Sequence, residues 1–553
     1  MKTPFLHKPP HGLRVAAACM FAGSALLGAA AHASDKLPVP VPVLAWTDCT
    51  PGPEFAPVEC ATARVPLDYS RPNGEMIEIA LTRFRAPDQA NRKGSVFINF
   101  GGPGGPAVES VKRGFGQTLA ARLNNQFDVI GFDPRGVGES TPLRCWDSDA
   151  QRTEDLASSP AFPFTREQER PYYDKRSSIV SRCFGRNQPI IKHMSTANVA
   201  RDLDVLREAV GDKQLTYLGF SYGTQLGSTY ANLFPGKVRA LVIDGVLDPR
   251  LWSAGLQIVS DTKDTREVFN EFIRLCDEAG DACALRGANG AAARYEGLRT
   301  KLRANPIVSS DGIRFGYDAL IVQTAGGLYA PELWRDFAQA LALFADAADG
   351  QAGKADQAFD VFKRIQERTN QSRPPPPAYD NGSESFLSVS CSDAEFPDSF
   401  EDFRAFGSYA ERRSFLTPFF WWDQAPCVTW PVAKDRYAGP WAARTANPVL
   451  VVGNYFDVAT GYRGAVAANR LLRGSRLLSY AGWGHTAYER STCVTDHLTA
   501  YLYNGKLPPE GTVCPANPSP WASAEASGAF ASKAAAPQQL PINGLPPPWL
   551  KLK

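Results

Sequence analysis

The stretch LTYLGFSYGTQLG, residues 215–227, places Ser221 between two glycines at the end of an apolar run. LTYLG reads as a short buried strand, and the pattern after Ser221 reads as a helix that must stop before Pro235. Upstream, STANVARDLDVLREAVGD (195–212) repeats Val199, Leu203, Leu206 and Val210 at helical spacing, with Ser195 or Thr196 as cap and Gly211 as stop. Downstream, ALVIDG (240–245) is a second strand. Helix, strand, sharp turn, helix and strand follow in that order, which predicts a doubly wound α/β sheet with Ser221 on its sharpest turn.

The same grammar extends outward. SVFINF (95–100) and FDVIGF (127–132) read as further central parallel strands. From about 250 to 440 it is interrupted by helix-like stretches such as PELWRDFAQALALFADAA (331–348), a loop SRPPPPAYDNGS (372–383) and the aromatic cluster SFLTPFFWW (414–422). At 448 the α/β pattern resumes with PVLVVGNYFD, then RLLSYAGWGHT, then a helix carrying Cys493 and His497. The expected organisation is a leader (1–33), a Pro-rich segment (34–60), a first core part (61–249), a helical cap (250–440), a second core part (441–514) and a loosely held Pro/Ala-rich tail (515–553).

Gly219-Phe220-Ser221-Tyr222-Gly223 is G-x-S-x-G between a strand and a helix, the setting of a nucleophile elbow in an α/β-hydrolase fold. A serine nucleophile needs a base, and few histidines compete. His7, His11 and His32 lie in the leader, leaving His193, His485 and His497. The chain order Ser, acid, His excludes His193, and His497 sits inside the amphipathic run CVTDHLTAYLYNG. His485, in the glycine-rich loop GWGHT, is the expected base. Asp457, ending the preceding strand 28 residues upstream, is the expected acid, with Asp244 and Asp393 as rivals. FINFGGPGGPA (97–107) supplies a glycine-rich loop after a strand, so the N–H of Gly101 or Gly102, with that of Tyr222, is the expected oxyanion hole. A phosphate-binding loop would need a Lys-Ser/Thr that does not follow.

Composition bounds the rest. The chain has 553 residues, 44% hydrophobic and 21% charged, with a formal charge of +2. The leader has basic residues up to Arg14, an apolar run from Val15 to Ala31 and the small-x-small triplet ending at Ala33, the order of a signal peptide cleaved after Ala33. Loss of Lys2, Lys8 and Arg14 leaves 56 basic against 57 acidic residues, so neither nucleic acid nor an anionic membrane is indicated as partner. Cys19 leaves with the leader; Cys49, Cys60, Cys145, Cys183, Cys276, Cys283, Cys391, Cys427, Cys493 and Cys514 remain, an even set that fits disulfides in the periplasm or outside the cell. Connectivity does not follow from sequence; pairing each cysteine with its neighbour closes the shortest loops. With no C-x-x-C and three histidines left, neither a metal nor another cofactor is expected.

The loop NFGGPGGPA resembles that of the secreted tripeptidyl aminopeptidases and, through FGGPG, that of the proline iminopeptidases. GFDPRGVGES (131–140), GFSYGTQLGSTYANLFP, SCSDAEF, CVTWP, GHTAY and CVTDHLTAYLYNGKLPPEGTVC resemble the former group too, over most of residues 45–514. The resemblance implies nucleophile Ser221, acid Asp457, base His485, oxyanion donors near Gly101 and at Tyr222, a Cys493–Cys514 pair, and Asp133 and Arg135 as loop supports. Two departures stand out: Phe100 replaces a histidine, and GNYFDVATGY lacks the usual proline after the acid. In the resembling peptidases cap acids bind the substrate's free amino group, a role that would fall on Glu384, Asp393 or Glu395. The implied function is an exported serine aminopeptidase releasing short N-terminal pieces, of di- or tripeptide or proline type, with no stable membrane association after leader cleavage. An esterase or amidase acting on small acyl compounds, or a hydrolase-like binding protein without turnover, are the alternatives. Oligomeric state is open.

Overall fold

The computed structural model describes residues 39–157, 159–371 and 379–522; the leader and its cleavage point lie outside these residues. Short β1 (Thr47–Asp48) pairs with β2 (Glu59–Pro66), which pairs with β3 (Met76–Phe84), all antiparallel. β3 joins antiparallel to a parallel block made of β4 (Gly94–Asn99), β5 (Phe127–Phe132), β6 (Leu215–Phe220) and β7 (Val238–Asp244). The chain then leaves the sheet for the cap, which contains a two-stranded ribbon of β8 (Ile307–Val308) and β9 (Arg314–Phe315). It returns as parallel β10 (Val449–Phe456), β11 (Arg476–Trp483) and β12 (Val513–Cys514). The order is β1-β2-β3-β5-β4-β6-β7-β10-β11-β12.

Alternation along the central strands supplies both faces of the sheet. Phe97, Tyr217, Leu241, Ile243 and Val451 pack with Val199, Leu203 and Leu226, from helices Thr196–Ala209 and Tyr222–Leu233. Val96, Ile98, Leu218, Val242 and Val452 pack on the other side with Leu119, Val494 and Leu498, from helices Gly116–Arg122 and Thr492–Asn504. Strands buried on both faces read as continuous apolar runs, which is why these were legible in sequence. β2 and β3 were not anticipated: ECATARVP and MIEIALTRF form the antiparallel edge, and the polar residues between their apolar ones hide the strands in a reading tuned to continuous runs. Ser195 is the helix cap, its side chain accepting from the N–H of Asn198.

The cap has its own core, in which Phe272, Tyr295, Phe315, Trp334, Phe344 and Trp421 are all buried. Helix Arg166–Arg186, expected in the core part, sends Tyr172 and Tyr173 into this cluster. Residues 515–522, the described start of the tail expected to be loosely held, also join it: Trp521 lies 5.8 Å from the Phe272 ring and 6.1 Å from that of Trp334, and the rest of the tail lies outside the described residues. All five nearest-neighbour cysteine pairs are closed, with S–S distances between 1.96 and 2.03 Å. Among the described residues no helix is long and apolar enough to cross a membrane.

The glycines of G-x-S-x-G have a steric reason. A methyl on Gly219 would lie 2.5 Å from the carbonyl oxygen of Gly223, and one on Gly223 would lie 2.8 Å from that of Asn99 in β4. The obstacles are backbone atoms and cannot swing away. Gly223→Ala should therefore cost about 1–3 kcal/mol, measurable as a lower denaturant midpoint with unchanged slope.

Candidate active site

Ser221 follows β6 with φ 55° and ψ −123°, a conformation that costs a side-chain-bearing residue roughly 1–3 kcal/mol. Its neighbours hold it there. The Ser221 N–H donates to the carbonyl oxygen of Asp244 at 3.0 Å, and the Ser221 carbonyl accepts from the N–H and hydroxyl of Thr224 at 2.8 and 2.6 Å. Helix Tyr222–Leu233 begins immediately after, so the positive end of its dipole lies at the serine.

The loop after β4 presses against this turn. A methyl on Gly101 would lie 2.5 Å from the Phe220 carbonyl oxygen, 2.9 Å from Ser221 Cβ and 3.1 Å from the Tyr222 nitrogen. Only glycine, at φ +93°, lets the two chains approach so closely. The Gly101 N–H is not available for an oxyanion, since it donates to Asn99 Oδ1 at 3.0 Å. Of the two glycines expected there, Gly102 is the one that lines the cavity, together with Ser221, Tyr222 and His485. A side-chain amide two residues back absorbs the first N–H, a detail that spacing does not encode.

Asp457 and His485 meet as the order of the chain suggested. His485 Nδ1 lies 3.0 and 2.9 Å from the two carboxylate oxygens of Asp457. The carboxylate also accepts from the amides of Ala459 and Thr460, both at 2.9 Å, and from the Thr460 hydroxyl at 2.9 Å. Burial alone would raise this carboxyl, but the adjacent imidazole and these donors bring it below the ordinary carboxylate value. Nδ1–H held by Asp457 leaves Nε2 as the proton acceptor of the ring. The rival Asp244 is committed elsewhere, accepting from the amides of Ala487 at 3.0 Å and Tyr488 at 2.8 Å, and so braces the loop that carries His485. His497 is half-buried beside the Cys493–Cys514 disulfide. Asp133 accepts from the amides of Ala107, Val108 and Glu139, and buried Arg135 forms a two-point pair with Asp202.

Ser221 and His485 open into a cavity of about 330 Å³ between sheet and cap, walled by Phe100, Trp252, Tyr329, Phe419 and Phe420. Phe100, in place of a histidine, stacks on Phe220 at 6.0 Å and makes this wall apolar. None of the three acids expected to face the substrate lines the cavity. Buried Asp393 accepts from Thr196 and from Trp252 Nε1; buried Glu384 is paired with Arg152 and Tyr379; Glu395 points to the surface, paired with Arg436. The cavity's acids are instead Asp261, Glu332, Asp423 and Glu489. Glu332 pairs with Arg490, Asp423 with Arg176 and Glu489 with Arg122. Among the described residues no cation pairs with Asp261, which accepts only from Gln257 Nε2, at 2.9 and 2.8 Å. Burial, with Asp264, Asp457 and Asp248 nearby, pushes its carboxyl well above the ordinary value. In sequence Asp261 looks like any acid at a helix start, so no signal singled it out.

Two measurements follow from this wiring. Asp457→Asn should lower kcat by about 10⁴-fold while leaving the protein folded, because the amide can present the wrong hydrogen-bonding partner to Nδ1; steady-state kinetics and circular dichroism check it. Burial raises the Asp393 carboxyl to about 6, so the folded state holds a proton that the unfolded chain releases above its ordinary pKa. That stabilisation is complete at acid pH and is lost as pH rises through 6. Compared with Asp393→Asn, the wild type should lose about 3 kcal/mol of unfolding free energy from pH 3.5 to 8, read from denaturant titrations across that range.

A family profile described as alpha/beta hydrolase fold matches residues 95–266, and one described as TAP-like protein matches residues 413–514. The chain is 32% identical over 516 residues to serine protease Hip1 of Mycobacterium tuberculosis, covering 88% of this chain and 93% of that protein. It is 30% identical to the tripeptidyl aminopeptidase of Streptomyces lividans, over 86% of this chain and 87% of the other. It is also 33% identical to carboxylesterase B of Mycobacterium tuberculosis, over 86% of this chain and 91% of the other. With a matching fold, an acid–imidazole pair and a strained serine at the head of a helix, the chain belongs to the α/β-hydrolase family in its TAP-like branch, and is a serine hydrolase.

Proposed function

We propose that the protein is an exported serine aminopeptidase that releases short N-terminal pieces from peptides through an acyl-enzyme. Ser221 attacks the scissile carbonyl as His485 takes its proton at Nε2, Asp457 holds the imidazolium, and the amides of Gly102 and Tyr222 receive the oxyanion. His485 then protonates the leaving amine, and water releases the acyl group by the same steps in reverse roles. The leader and five disulfides support export, since such bridges persist in oxidising compartments.

Asp261 is the observation that carries this reading. A desolvated carboxylate without a cation is costly, and a substrate ammonium entering the cavity supplies the missing charge. Gln257 adds a second acceptor: while its Nε2 donates to Asp261, its buried Oε1 has no partner. A free N-terminus bound there under a cap limits cleavage to a short distance from the chain end. The likeness to tripeptidyl aminopeptidase and to serine protease Hip1 agrees with this choice. An esterase reading is favoured by the apolar walls and by the 33% identity to carboxylesterase B.

Peptide anilides with free and acetylated N-termini, and a p-nitrophenyl ester, separate the two. Free-amino anilides should be preferred, and Asp261→Asn should raise their KM by about tenfold or more, the worth of one charge-assisted contact. The same variant should leave ester hydrolysis within about threefold of wild type, since no such contact is made. Equal rates on free and acetylated peptides would overturn the aminopeptidase assignment in favour of the esterase. Ser221→Ala should abolish every activity, a loss on the order of 10⁶-fold.

A further inference from the structure

The loop bearing His485 is gripped from two sides. From the core come Asp457, Asp244 and Asn454, whose Nδ2 donates to the carbonyls of Gly484 and Thr486, both at 2.8 Å. From the cap comes a second set of contacts that no catalytic scheme requires. The backbone N–H of His485 itself donates to the carbonyl oxygen of Tyr329 at 3.0 Å. The Tyr329 ring meets the imidazole edge-on, with centroids 5.2 Å apart and planes at 72°. A methyl on Gly484 would lie 2.6 Å from Pro331 Cδ, so the proline ring packs closely over the glycine. Glu332 forms an ion pair with Arg490, whose Nε donates back to the Thr486 carbonyl at 3.3 Å. On the other flank, Trp483 Nε1 donates to Glu271 of cap helix Thr262–Glu278 at 3.0 Å.

We propose that cap residues 329–332 are a positioning element for the base, so that seating of the cap and alignment of His485 are one event. The inference rests on His485 being the base. Its physical content is that the core holds the ring's Nδ1 through Asp457 and the flanking carbonyls of Gly484 and Thr486 through Asn454, whereas the amide of His485 itself is held by the cap. An imidazole whose own backbone amide is released can still pivot about Nδ1, and a displacement of about 1 Å at Nε2 costs about 10²-fold in rate. Tyr329 is thus a positioning residue as well as a wall of the cavity. A cap lifted at this seam breaks the hydrogen bond from the His485 N–H to the Tyr329 carbonyl and idles the serine, which restrains an exported hydrolase when the cavity is open.

The test uses the full chain with Tyr329→Ala, Tyr329→Phe, Glu332→Gln, Ser221→Ala and His485→Ala. For a peptide anilide and a p-nitrophenyl ester alike, Tyr329→Ala should lower kcat by about ten- to a hundredfold with KM within about threefold. Phosphonylation of Ser221 by a small fluorophosphonate should slow in parallel, because that reaction reports the serine–imidazole pair without a peptide to bind. Amide deuterium uptake of residues 484–490 should quicken, and Tyr329→Phe, which restores the ring that alanine removes while both variants keep the carbonyl, should recover kcat. Glu332→Gln covers the case in which Tyr329→Ala does not fold: wild-type kcat should fall on raising salt to 1 M, where a partly exposed pair is screened, and the variant should start lower and not respond. A rise in KM at unchanged kcat, or wild-type phosphonylation of a folded Tyr329→Ala, overturns the inference and reduces Tyr329 to a substrate wall. If Tyr329→Ala fails to fold, a Glu332→Gln kcat equal to wild type overturns it. Full activity in His485→Ala would instead remove the base assignment, and the inference with it; Ser221→Ala marks the background.

Discussion

Everything at this site depends on how closely the chain crosses itself where β4 and β6 end. The turn at Ser221 carries a positive φ, which persists because the Asp244 carbonyl holds its N–H and Thr224 holds its carbonyl. Gly101 has no room for a side chain against Phe220, Ser221 and Tyr222. Local strain of this kind survives only when the surroundings over-determine it. Here the surroundings are the parallel ladder of β4, β6 and β7 with a helix packed behind it.

From that crossing the other parts take their places. β7 ends at Asp244, whose carbonyl fixes the serine while its carboxylate braces the loop of His485. Burial pushes that carboxyl up to about 6, and the Ala487 and Tyr488 amides partly compensate. Asp457, one strand further along, is drawn the other way because the imidazole lies against it. Two buried aspartates near one histidine thus have opposite proton affinities, set by which of them touches the ring.

The cap contributes more than a roof. It has an aromatic core of its own, and Trp521, arriving from beyond the Cys493–Cys514 bridge, packs against both Phe272 and Trp334. The segment behind that tryptophan places Asn517 at the cavity, its Nδ2 donating to the Arg490 carbonyl at 2.8 Å. Cap, C-terminal segment and His485 loop therefore share a seam, and the cavity acid Asp261 hangs from the cap side of it.

By itself the sequence determined the parallel strands, the elbow, the acid and base candidates and the even cysteine count. Each rests on a period, a local steric demand or a short menu of residue types, which are properties of neighbouring residues. The antiparallel edge of β2 and β3, the burial of Tyr172 and Tyr173 in the cap and the docking of Trp521 depend on which surface each segment meets. The same holds for the acids weighed for substrate recognition. Asp393, Glu384 and Glu395 lie in the segment the resemblance pointed to, yet their carboxylates face Thr196, Arg152 and Arg436. Asp261 carries no mark in the sequence, because an acid's availability is decided by whether folding brings a cation beside it, and among the described residues folding brings none to this one.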